Sequence, residues 1–347
     1  MSELSPSFFI GKQGNGVISF GSGQPDLPPP KEIQQIKHNE FRYGPVQGEE
    51  KLRSKLSGLY PGSDRDSFVI TNGASEALDL ALRTLSLNGA KKVLLPRPYY
   101  YSYPELIRFS GMQAVFTETS NGKLDIEDVK AKARECQVML LNSPSNPTGR
   151  IEEIETLKEL EKLSQQLGFY IISDEVYKDL IYERENYLIA GDKVITVNSF
   201  SKTFSMCGER VGYLWARDKN LIKDIIDLKT HTSMNTNLSA QERAYAALNV
   251  DNQYKESQLQ IWRKRRDLIH NSLLDMGLEC AKPEGAFYVL PRVENTEKVV
   301  WELYQNHGVI AYRGEWFGAP DHLRLSYALD EEKMLKGLNI ISNYLKR

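Results

Sequence analysis

Between residues 68 and 198 short apolar runs recur at 68–70, 92–95, 113–116, 138–142, 169–173 and 194–198, separated by stretches that read as helix. The stretch 151–167 shows the helical period, with Ile151, Ile154, Leu157, Leu160, Leu163 and Leu167 spaced by threes and fours. A second helix is predicted over 75–87. Strands that are apolar on both faces need cover on both faces, and strands joined through helices run parallel. The chain is therefore expected to be α/β, with a mostly parallel sheet between two helical layers.

Outside this region the pattern changes. The first 40 residues carry Gly23-Gln24-Pro25-Asp26 and Pro28-Pro29-Pro30, whose fixed φ angles and missing donors disfavour regular elements and predict an ordered arm. Beyond residue 250 comes a charged helical stretch, 252–276, with the run Trp262-Arg263-Lys264-Arg265-Arg266, read as a solvated helix face. Short strands at 286–290, 309–312 and 323–327 and an amphipathic helix at 331–345 follow. The expected division is an arm over 1–39 that joins a small domain, a large domain over 40–250, and an interdomain helix with a small α+β domain over 251–347.

Charge and cysteine content narrow the partners. Lys+Arg 44 against Asp+Glu 46 gives a net charge of −2, so no basic excess drives binding to nucleic acid or an anionic membrane. Cys136, Cys207 and Cys280 are far apart with no CxxC pair, which argues against a disulfide scaffold or a structural zinc site, and no metal is expected. The start of the chain lacks a basic-then-apolar leader, and no uncharged apolar run approaches 18 residues. A soluble, cytoplasmic protein with a small-molecule partner is expected.

In open α/β sheets, ligand-binding groups gather in loops at the C-terminal ends of the strands. After the first run comes Thr71-Asn72-Gly73-Ala74-Ser75-Glu76, where the exposed N–H groups of a helix start suit a phosphate, although ordinary capping uses the same residues. The run at 169–173 ends in Asp174-Glu175-Val176-Tyr177, a buried carboxylate or a simple N-cap. The run at 194–198 leads into Ser199-Phe200-Ser201-Lys202, with Arg210-Val211-Gly212-Tyr213 shortly after. That loop offers an amine nucleophile, hydroxyl donors and a fixed cation, or else a solvated lysine.

Taken in order with Gly23-Gln24-Pro25-Asp26, Tyr43-Gly44, Pro98-Tyr99-Tyr100-Tyr101-Ser102-Tyr103, Asn142-Ser143-Pro144-Ser145-Asn146-Pro147-Thr148-Gly149, Glu284-Gly285-Ala286-Phe287-Tyr288 and Leu323-Arg324-Leu325-Ser326-Tyr327, these segments span most of the chain. The set resembles the fold-type I (class I/II) aminotransferases that use pyridoxal 5'-phosphate (PLP), prokaryotic aspartate aminotransferases above all. The resemblance implies that Lys202 bonds PLP and moves the substrate proton. Asp174 is implied under the pyridine nitrogen, Asn146 and Tyr177 at the ring hydroxyl, and Tyr100 on the ring face. Gly73, Ala74, Ser75, Ser199 and Arg210 would hold the phosphate, with Tyr43 from the second subunit of a homodimer. Arg324, Gly23 and Asn146 would hold the substrate carboxylate.

The implied reaction is ping-pong transfer of an amino group from an L-amino acid, aspartate or another, aromatic ones included, to a 2-oxo acid. A C–S β-lyase or an amino-acid decarboxylase with the same cofactor remains open, as does a non-enzymatic regulator. A simple nucleotide-binding domain is disfavoured because no GxGxxG follows the first strand. Three departures touch the substrate. Ser75 and Glu76 stand where dicarboxylate-preferring members often have a lysine, and Glu209 stands where an aromatic is common. Arg313 is a candidate for a side-chain carboxylate or for an exterior salt bridge. Tyr99, Tyr101 and Tyr103 are read as packing residues, or as walls of an aromatic or aliphatic side-chain pocket.

Overall fold

The computed structural model describes residues 5–12, 16–39 and 41–346. Residues 1–4, 13–15, 40 and 347 lie outside the described residues, and with them parts of the expected arm and its boundary at residue 40. Seven strands form one sheet: β1 (Phe68–Thr71), β2 (Lys92–Pro96), β3 (Gln113–Thr117), β4 (Val138–Asn142), β5 (Tyr170–Asp174), β6 (Val194–Ser199) and β7 (Gly212–Ala216), in spatial order 1-7-6-5-4-2-3. All neighbours run parallel except β7, which is antiparallel to both β1 and β6. The mostly parallel sheet is as the apolar runs predict. β7 was not anticipated, because its sequence falls inside the segment read for its chemistry.

Side chains alternate between two cores with the period of a strand. Val69 of β1 and Leu214 of β7 pack with helices α1 (Ala74–Leu87) and α3 (Lys219–Thr232), whereas Phe68, Ile70, Tyr213 and Trp215 point to the other face. Met139 of β4 and Ile171 of β5 meet Leu157 and Leu160 of α2 (Ile154–Leu167) on that second face. Helix α2 starts three residues later than its apolar period predicts. The Ile151 N–H is donated to Glu284 Oε2 (3.0 Å) and the Glu152 N–H to Ser143 Oγ (3.1 Å), so distant side chains hold this stretch out of the helix.

The helix α4 (Asn252–Asp275) corrects one expectation. Its basic run is a solvated face only in part: Arg263 and Lys264 are exposed, whereas Trp262, Arg265 and Arg266 are buried. Arg265 forms a fork on Asp26 of the arm (2.6 and 3.1 Å), and Arg266 pairs with Glu183 (2.7 Å) and Asp267 (2.9 Å). The stretch 309–312 is likewise two elements. Val309–Ile310 pairs in parallel with Ile18–Ser19 of the arm, and Tyr312–Arg313 joins an antiparallel sheet with Leu323–Ser326 and Tyr288–Val289. Phe9 and Phe20 of the arm share one core with Val300, Leu325 and Ile341, the last in the helix α5 (Glu331–Leu345). Among the described residues no helix is long and apolar enough to cross a membrane.

Candidate active site

Parallel pairing brings the C-terminal ends of β4, β5 and β6 to one edge of the sheet, with Asn142 in register with Asp174. There a cavity of about 640 Å³ opens. Its walls contain Gly23, Ala74, Ser75, Tyr100, Asn146, Asp174, Tyr177, Ser199, Lys202, Arg210 and Arg324, residues from seven separated parts of the sequence. Gly73 lies directly behind this wall. Tyr43 is not brought to the cavity within one chain; its side chain is exposed, next to a fully exposed Phe41.

One end of the cavity is built to receive an anion. Helix α1 begins at Gly73 with no side chain capping its first N–H groups, so Ala74 and Ser75 present donors at the positive end of the helix dipole. Gly73 has φ +79°, and a Cβ there would stand 2.5 Å from Arg210 Nη2. The absent side chain is what admits the guanidinium. Arg210, itself at positive φ, donates to the Cys207 carbonyl (3.0 Å) and the Asn72 carbonyl (3.4 Å). Ser199 Oγ accepts from the Ser201 N–H at 3.1 Å.

At the base, Asp174 is buried and its Oδ2 accepts from Tyr103 Oη at 2.7 Å. Burial pushes this carboxyl up to about 6, opposed by the Tyr103 bond, the Val176 N–H and the Lys202 charge. Asn142 Nδ2 donates to the Asp174 carbonyl (3.0 Å) and its Oδ1 accepts the Asn146 N–H (2.8 Å), tying β4, β5 and the following loop together. Tyr177 Oη lies 2.9 Å from Tyr288 Oη, and burial raises the Tyr177 phenol well above its usual range. Lys202 Nζ donates to the Gly23 carbonyl at 2.6 Å. Gly23 is required by proximity, since a Cβ there would lie 2.6 Å from Tyr288 Oη.

Arg324, which lines the same cavity as Lys202, is 2% exposed and pairs with no carboxylate among the described residues. Its guanidinium lies over Tyr288, Tyr312 and Phe317 at 4.6, 4.7 and 5.0 Å, bonds the Gly21 carbonyl, and reaches Asn146 Oδ1 at 3.5 Å. Its Nε finds no partner. A buried cation without a counter-ion is costly, so such a site is shaped for an anionic ligand. An uncapped helix start with a guanidinium beside it, a buried carboxyl, a primary amine and a second guanidinium fit a phosphorylated aromatic cofactor and a carboxylate substrate together.

Comparison with known proteins agrees with that geometry. Residues 15–341 match the family described as aminotransferase class I and II. The chain belongs to this aminotransferase family. It is 34% identical to a probable aspartate aminotransferase of Methanocaldococcus jannaschii, over 93% of this chain and 92% of the relative. The crystal structure of an aspartate aminotransferase from Thermotoga maritima superposes with a TM-score of 0.91 at 31% identity, covering 99% of this chain and 95% of that one. An aromatic aminotransferase from Pyrococcus horikoshii gives 0.88 at 28% identity, covering 99% of both. The fold is thus the fold-type I aminotransferase fold, the chain is an aminotransferase, and the class uses PLP.

In this aminotransferase several residues matter that the sequence reading missed or misplaced. Tyr103 is a hydrogen-bond partner of Asp174 rather than packing alone, and Asn142 and Tyr288 stood in quoted motifs without a role. Arg313 does not face the cavity; it lies 3.5 Å from both Glu297 and Glu315, the exterior salt-bridge reading. Among the described residues no group of three or more His, Cys, Asp or Glu side chains could hold a metal ion.

Proposed function

We propose that the aminotransferase site works through Lys202, Asp174 and Arg324, and that its substrate side chain is aromatic or large and apolar. The observation that carries the reading is the buried, carboxylate-free Arg324 in the same cavity as Lys202. Arg324 takes the substrate α-carboxylate as a planar fork and so turns the α-carbon toward Lys202. PLP, once bound, supplies an electron sink for the charge left on that carbon. Lys202 Nζ removes and returns the α-proton. Asp174 holds a proton at the ring nitrogen, Asn146 and Tyr177 donate to the ring hydroxyl, and Tyr100 covers the ring face. The Ala74 and Ser75 N–H groups, Ser199 and Arg210 hold the phosphate, with Gly73 making room.

Phe9, Ile10, Tyr101 and Tyr312 also line the cavity, together with the uncharged Ser19, Ser22 and Gln24. Lys202, Arg210 and Arg324 are the cations among the described lining residues, and each has another task. Among the described lining residues of one chain no further cation is placed to meet a distal carboxylate. Aspartate, the substrate in the names of several relatives, is the second reading, supported by similarity over nearly the whole chain. Mixing the PLP-loaded protein with single amino acids and following the cofactor spectrum decides between them. Conversion by phenylalanine or tyrosine with little by aspartate or glutamate is expected; the reverse order removes the side-chain reading.

We also propose a homodimer in which Tyr43 completes the partner's phosphate site. The exposure of Phe41 and Tyr43 supports it. Sedimentation of wild type against Tyr43→Ala and Phe41→Asp variants tests it: a monomeric wild type rejects the dimer, and full PLP affinity in Tyr43→Ala rejects the shared site.

A further inference from the structure

Helix α1 carries a carboxylate in its first turn, at the end proposed to hold a phosphate. Glu76 would repel a phosphate if left free. It is not free: Glu76 Oε1 and Oε2 each lie 3.0 Å from Nζ of Lys229, whose side chain is 0% exposed inside the fold. Ser233 Oγ donates to the same carboxylate, as does Lys229 Nζ to Ser233 Oγ at 2.9 Å. On its other side Glu76 Oε2 accepts both the backbone N–H of Asn72 and its Nδ2 (3.1 Å). The Asn72 carbonyl in turn accepts from Arg210 Nη2. A continuous chain of polar contacts thus runs from the interior of α3 through Glu76 and Asn72 to the phosphate-site guanidinium.

We infer that Glu76 and Lys229 are a paired positioning device for the cofactor phosphate: Glu76 fixes the turn at Asn72 that carries Arg210, and Lys229 cancels the negative charge this introduces. The inference rests on the phosphate assignment above. Lys229 does not line the cavity, so it acts through Glu76 and not on any ligand. Removing Lys229 leaves the Glu76 carboxylate without a counter-charge, held only by the Ser233 and Asn72 donors, at the helix end proposed to hold the phosphate, an arrangement that penalises a second anion there. Removing the charge on Glu76 while keeping its acceptor oxygen does not.

The test is equilibrium PLP binding by wild type, Lys229→Met, Glu76→Gln and the double variant, with pyridoxal, which lacks the phosphate, as the control ligand. Lys229→Met is expected to weaken PLP about tenfold or more, a ratio of the size buried charges produce. Its pyridoxal affinity stays at the wild-type value. Glu76→Gln stays close to wild type, and the double variant recovers. Should Lys229→Met not fold, position 76 decides alone: Glu76→Leu, which drops the acceptor, loses PLP affinity where Glu76→Gln keeps it. Wild-type PLP affinity in Lys229→Met, equal losses in Lys229→Met and Glu76→Gln, or a matching loss for pyridoxal each overturns the inference. A wild type that binds no PLP removes the functional reading itself.

Discussion

Arg324 and Asp174 are buried ionisable groups whose surroundings make different demands. Arg324 has no carboxylate partner among the described residues, so a bound carboxylate supplies what the fold withholds. Arg324→Lys keeps the charge and loses the fork, so kcat/KM is expected to fall roughly 10- to 100-fold, the loss of one charge-assisted bond of about 1.5–3 kcal/mol. Steady-state kinetics on a good donor checks this; an unchanged kcat/KM would place the α-carboxylate elsewhere. Asp174 is pushed up to about 6 by burial and held from going higher by the Tyr103 hydroxyl. Tyr103→Phe removes a bond to the charged form, so the Asp174 carboxyl moves up and the acid limb of the pH–kcat/KM profile moves to higher pH. A limb that stays put, or moves down, contradicts the role given to this tyrosine.

At the scale of elements, whatever rests on a local period was legible. The six apolar runs became six parallel strands because a strand covered on both faces needs apolar residues throughout, and such a run is visible in one dimension. Strand β7 was hidden because Gly212 to Ala216 follows directly on Arg210, and the antiparallel insertion between β1 and β6 is a long-range choice. The site residues were legible through their motifs, but Tyr103 and Asn142 act through partners 71 and 32 residues away, which no local pattern encodes. The buried half of α4's basic run was misread for the same reason, since the counter-charge of Arg265, Asp26, lies 239 residues away. Asp26→Asn would strand Arg265, which is only 6% exposed on its side chain, while Asp26 itself is 30% exposed. Discounted for that exposure, the loss is expected at about 1–3 kcal/mol in urea denaturation. Substrate KM should rise as well, because the same arm supplies the Gly21 and Gly23 carbonyls to Arg324 and Lys202. Unaltered stability and KM would show that the pair does not hold the arm.

For the whole molecule, several carboxyls are buried in the fold. Glu152 is buried beside Lys123 and Glu284, accepts the Leu124 N–H at 3.0 Å, and is pushed up to about 7 by burial. Glu175, next to the site, is pushed up to about 8, and one of its oxygens has no partner. With Asp174 these are three carboxyls whose folded-state affinity for protons exceeds the unfolded value of about 4. Between pH 4 and 8 these three groups therefore bind more protons in the folded than in the unfolded chain, and the stability they contribute falls as pH rises through that window; His270, pushed down by burial, acts in the opposite sense. Near the surface the sign reverses: Asp128 and Glu153 are held down at about 2 by Lys132 and Arg184, so their smaller, solvent-screened contribution is lost only in acid. Glu152→Gln keeps an oxygen for Leu124 and removes the titration. Its urea-denaturation stability is expected to equal or exceed wild type at pH 8 and to depend less on pH between 5 and 8. A variant whose pH slope matches wild type would show that Glu152 is already ionised in the fold, with Lys123 outweighing burial.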